Sequence, residues 1–123
     1  TRARALGERA LAMKEKAHGP NHIKVAITLV TLGHIALTQN QPAEAVPLLE
    51  RAVAIYDARE GVQEDEVRGR FTLAKALLRT TKDRPRALAE ANKAAEGLRK
   101  ASPAQAQELL EIENFIAQYD PEK

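Results

Sequence analysis

The chain has no cysteine and no tryptophan, one serine, two phenylalanines and two tyrosines in 123 residues. Without cysteine there can be no disulfide, no zinc-thiolate site and no thiol nucleophile, which suits a reducing, cytoplasmic setting. No apolar run approaches the roughly 20 residues needed to span a bilayer, and no signal-peptide core is visible, so neither membrane insertion nor a membrane partner is expected. A glycine-rich phosphate loop and a nucleophile elbow are both missing, and with them any basis for intrinsic catalysis. The chain is therefore read as a non-enzyme without a cofactor. Neither sign of charge dominates, with 19 basic against 17 acidic residues and a formal net charge of +2. The sequence starts at Thr1 inside an amphipathic pattern and reads as a piece of a longer protein.

What the chain does contain is alanine, leucine, glutamate, arginine and lysine, the composition of stacked helices. It also repeats itself. Glu8-Arg9-Ala10-Leu11-Ala12 recurs as Glu50-Arg51-Ala52-Val53-Ala54 and more faintly as Asn92-Lys93-Ala94-Ala95-Glu96, at an interval of 42 residues. Ala3, Ala45 and Ala87 keep the same interval. Small residues in register imply that one face of three successive helices meets a neighbour too closely for a large side chain.

A second kind of helix alternates with the first. Val25, Ala26, Leu29, Leu32, Gly33, Ala36 and Leu37 recur at spacings of three and four, and Val67, Leu73, Ala74, Leu77 and Leu78 follow the same rule. Gly33 and Ala74 hold equivalent places. A glycine inside a helix costs about 1 kcal/mol relative to alanine, so Gly33 implies close helix approach. Gly19-Pro20-Asn21, Gln39-Asn40-Gln41-Pro42, Gly61 and Asp83-Arg84-Pro85 break the periodic segments. Six helices are predicted, at 2–17, 22–38, 43–59, 64–80, 85–100 and 103–119. Ser102 and Pro103 are read as the N-cap and first residue of the last, whose apolar side is Leu109, Leu110, Ile112, Ile116 and Tyr119. Helices of about four turns are marginal alone and must be stabilised by stacking.

These residues resemble the tetratricopeptide repeat, in particular the longer repeat of the kinesin light chain-like branch that many bacterial proteins carry. Glu15 to Ala26, containing Ala17-His18-Gly19-Pro20-Asn21-His22, is similar to the loop between repeats of that branch, and Glu44 to Ile55 is similar to its second helix. The resemblance implies an all-α, right-handed solenoid of antiparallel helix hairpins. It divides the single array (1–123) into a second helix from a truncated repeat (1–17), two repeats (22–59 and 64–100) and a terminal or capping helix (103–119). Gly33, Ala45 and Ala52, then Ala74, Ala87 and Ala94, match the family's small packing positions, and Leu29, Leu32 and Leu49 its large ones. The second repeat departs from the pattern, with Arg70 in the place of Leu29 and Ala91 in that of Leu49, and a thinner core is expected there.

In this family successive first helices line a concave face that receives a partner protein or peptide. Carried over position by position, that face is Ile27, Val30, Thr31, His34 and Thr38, followed by Arg68, Phe71, Thr72, Lys75 and Arg79. Lys75 and Arg79 share one helical face, with Arg68 and Thr72 continuing it. Such a stripe suits an acidic or carboxylate-ended segment, with Phe71 and Val30 giving apolar contact. A solvated basic face is the plainer reading of the same residues. Bacterial arrays of this branch resemble the tails of signalling proteins, including serine/threonine kinases and transcriptional regulators, and the alanine- and arginine-rich composition suggests a bacterial source. Basic residues crowd the second repeat, but Phe71 is its one aromatic, so nucleic acid is not the expected partner. No metal is expected from His18, His22 and His34, because the first two flank Gly19-Pro20, where helical spacing fails, and no nearby carboxylate cluster completes a ligand set. His22 is read instead as a loop or N-capping residue, and Glu64-Asp65-Glu66 as acids that complement a helix dipole. An apolar array end around Ala3, Leu6 and Ala10 offers a surface for self-association.

Overall fold

The computed structural model describes residues 2–81, 83–101 and 106–119. They form six helices, α1 (Arg2–His18), α2 (Ile23–Thr38), α3 (Pro42–Asp57), α4 (Glu66–Thr80), α5 (Arg84–Ala101) and α6 (Ala106–Tyr119), with no strand among the described residues. Each helix packs on the next in sequence, and α2 also meets α4. The result is an all-α solenoid of helix hairpins in which α2, α4 and α6 share one kind of position and α1, α3 and α5 the other. The Ser102-Pro103 start expected for the last helix lies outside the described residues.

Local chemistry sets the helix ends. At the start of α2 the ring Nδ1 of His22 accepts a hydrogen bond from the Lys24 backbone N–H at 3.1 Å, satisfying a donor that a helix N-terminus leaves open. The end of α2 is closed by Asn40 in the left-handed conformation (φ 60°), whose N–H donates to the Leu37 carbonyl while that of Gln41 donates to Ala36 at 2.8 Å. Pro42 then opens α3 at once, where its missing N–H costs nothing. Arg51 on α3 ties down the preceding loop, donating to Glu15 at 2.8 Å and to the Pro20 carbonyl at 3.1 Å.

Small residues that recur at the 42-residue interval make core contacts on α3 and α5. Ala45, Ala52, Ala87 and Ala94 are all buried. Gly33 is buried against α3, and a Cβ there would lie 2.5 Å from Leu49 Cγ, so close approach explains the glycine. Leu29, Leu32 and Leu49 are buried, each stabilising the stack by about 1.5–3 kcal/mol. On α1 the same pattern stays open: it has no buried residue, and Leu6 and Met13 are exposed.

Arg70, in the place corresponding to Leu29, does not leave that layer thin. It is 4% exposed and bonds three carboxylates, Asp57 at 2.5 Å, Glu66 at 2.9 Å and Glu90 at 2.9 Å, which joins α3, α4 and α5. Ala91 is buried without a bulky side chain, and α5 contributes mainly alanines to its core. On α6, Ile112 and Ile116 are buried as the apolar pattern requires, but Leu110 points outward at 56% exposure.

Candidate functional site

Helices α2, α4 and α6 share a groove of about 550 Å³. Helix α4 lies in the middle and presents Phe71, Lys75, Leu78 and Arg79 at helical spacing, while α2 contributes His34, Leu37 and Thr38. Helix α6 closes the other side with Glu111, Asn114, Phe115, Gln118 and Tyr119. The helix expected as terminal or capping thus also lines the groove, a part the repeat pattern did not give it. The signal was present in the alternation of helix types, which makes α6 the third helix of the α2 and α4 kind, and in the i, i+4 spacing of Glu111, Phe115 and Tyr119.

The aromatic rings organise the floor. Phe71 and Phe115 meet edge to face with centroids 5.3 Å apart, and Phe115 and Tyr119 follow at 5.0 Å. Lys75 Nζ stands 4.5 Å from the centre of the Phe71 ring, which attracts the ammonium and holds it at the groove. Phe71 itself is largely buried, so it acts as floor more than as an exposed contact.

The ten residues expected to line one face divide into two groups. His34, Thr38, Phe71, Lys75 and Arg79 line the groove together. Val30 and Thr72 do not: Val30 is fully buried in the packing of α2 on α4, where a Cβ on Gly69 would come within 2.8 Å of its Cγ2, and Thr72 is 2% exposed. A position on α2 or α4 is hidden wherever the two helices touch, which a single-helix pattern cannot show. Ile27 is half-buried, and Thr31 and Arg68 are exposed outside the groove lining, with Arg68 donating to Thr31 at 3.2 Å and to Asp65 at 2.9 Å.

The basic stripe is correspondingly interrupted. Arg79 donates to the Leu37 carbonyl at 3.4 Å and to the side chain of Asn40, which fastens α4 to the α2 cap. Among the described residues Lys75 forms no ion pair, and its ammonium stands at the groove. Elsewhere Arg86 pairs with Glu50, Arg99 with Glu113 and Lys100 with Glu96, which offsets part of the basic charge of the second repeat. The expected dipole role of Glu64-Asp65-Glu66 is also refined. Asp65 pairs with Arg68, and Glu66 bonds Arg70 and accepts from the Gln63 N–H at 3.1 Å.

His34 sits among cations. Its pKa is held below the ordinary histidine value by partial burial first, then by the charges of Arg68 and Lys75. His18 and His22, by contrast, stack with centroids 4.6 Å apart at the α1–α2 loop, away from the groove.

A scan against protein families matches residues 1–58 to the model described as tetratricopeptide repeat. The matched stretch covers α1 to α3 with their loops and ends at Ala58, before the segment in which Arg70 and Ala91 depart from the repeat pattern. No curated protein and no solved structure matches the chain. Tetratricopeptide repeats are non-enzymatic scaffolds that generally mediate protein–protein interaction. Residues 1–58 are thus similar in sequence to the tetratricopeptide repeat, and the described residues of the chain form an all-helical solenoid of hairpins.

Proposed function

We propose that this array recruits a partner protein by holding an extended segment of it in the groove of α2, α4 and α6, the concave face of the solenoid. The observation that carries this reading is the groove itself, an apolar floor of Phe71, Phe115 and Leu78 ringed by a few convergent polar side chains. That combination is the usual make-up of a recognition site, with apolar contact for affinity and placed polar groups for orientation. An apolar side chain of the segment rests on the Phe71–Phe115 pair, and a neighbouring carboxylate meets Lys75. Asn114 and Gln118 carry amides able to pair with the segment's backbone.

The test is a peptide-library selection on the purified chain beside Lys75→Glu and Phe115→Ala, each checked for unchanged helical content. The wild-type chain is expected to enrich segments with an apolar residue next to an acid, and both variants to lose them. Equal selection by all three chains would place the binding surface elsewhere.

A further inference from the structure

The groove carries opposite charges on its two sides, and neither is in an ion pair among the described residues. Among the described residues Lys75 on α4 has its ammonium over the Phe71 ring and no hydrogen bond or ion pair, and Glu111 on α6 has neither. Yet both line the same groove, with Phe71 and Phe115 packed between their helices. Elsewhere on this surface opposite charges find each other readily, as Arg99 on α5 does with Glu113 on α6 at 2.8 Å. The Lys75 and Glu111 charges thus stand available across an apolar floor, with Arg79 adding to the basic side only.

An acidic segment alone leaves Glu111 facing it, and like charges across an interface disfavour a partner. A basic segment alone meets Lys75 and Arg79. A segment bearing one charge of each sign, separated by an apolar side chain, satisfies both sides at once. We infer that the groove selects such a two-charge segment, its acid on the α4 side at Lys75 and its base on the α6 side at Glu111. This deepens the proposed peptide-binding reading and rests on it. The charge order also fixes the direction in which the segment lies across the helices, because the reversed order puts each charge against its like.

The test compares short fluorescent peptides with Asp-Phe-Lys, Lys-Phe-Asp, Asp-Phe-Ala and Ala-Phe-Lys centres, titrated by anisotropy against the wild-type chain, Glu111→Lys, and the charge swap Lys75→Glu/Glu111→Lys. One two-charge order is expected to bind at least roughly tenfold more tightly than either single-charge peptide, the low end for a hydrogen bond to a charged group. Glu111→Lys is expected to erase the advantage of the base, and the swapped protein to prefer the opposite order. If Asp-Phe-Ala binds as tightly as the better two-charge peptide and Glu111→Lys changes nothing, the inference fails while the groove remains an acid-selective site. If none of the four binds any of the proteins, the inference and the peptide reading fall together.

Discussion

Replacing Arg70 with alanine is the change most informative about how this short array holds together. Burial opposes the guanidinium charge, but hydrogen bonds to Asp57 and Glu66 and the nearby charge of Glu90 outweigh it and keep the arginine pKa above its ordinary value. Without Arg70 the Glu90 side chain, 9% exposed, and that of Glu66, 14% exposed, lose their cation inside the protein, whereas Asp57, 52% exposed, turns to water. Breaking a buried pair from one side costs about 3–5 kcal/mol because a charge is left uncompensated. That is a large part of the about 5–15 kcal/mol that keeps a typical domain folded. Urea unfolding followed by helical circular dichroism should therefore show Arg70→Ala shifted to much lower denaturant. Arg70→Leu/Glu90→Leu, which removes charge from both sides of the pair and restores an apolar layer like that of Leu29, should lose much less than the single variant. A single-variant loss below about 1 kcal/mol, in the range of an exposed ion pair, would refute the claim that this cluster is buried and structural.

Four further outcomes are expected. Ala52→Leu should cost about 1–3 kcal/mol by overpacking the α2–α3 contact, while Lys75→Ala should leave the melting temperature nearly unchanged; the reverse ranking in thermal melts would mean a wrong packing register. Gly33→Ala should destabilise despite the gain of about 1 kcal/mol in helix propensity, because its Cβ would meet Leu49 Cγ at 2.5 Å, and a raised melting temperature would count against that contact. Amide exchange should be faster in the α4–α5 hairpin, whose second helix packs mainly through alanines, than in α2–α3, and equal protection would refute it. His34, with its pKa below the ordinary value, is neutral at pH 7, and the unfolded chain takes up its proton at higher pH than the folded one. Its contribution therefore lowers stability as pH falls through about 6.5 and below, whereas an acidic peptide in the groove favours the protonated ring and should bind more tightly there. His34→Gln should flatten that pH dependence in peptide titrations.

The alternation of two helix types, the 42-residue spacing of Ala10, Ala52 and Ala94, and the punctuation at Gly19-Pro20 and Asn40-Gln41-Pro42 were legible in the sequence alone. They could be read because helical periodicity, capping and close approach at small residues are local rules that act within a turn or two of the chain. His34, Thr38, Phe71, Lys75 and Arg79 were also legible as neighbours, since repeats in register place equivalent positions side by side. Tertiary structure decided the rest. It buried Val30 between α2 and α4, turned Arg70 into the centre of a three-carboxylate cluster, drew Arg79 to the α2 cap, and brought Glu111, Phe115 and Tyr119 into the groove as its far side. Each of these depends on which side chains from distant helices arrive at the same place, and a repeat pattern sets the spacing of helices without saying which charges and rings will meet across them.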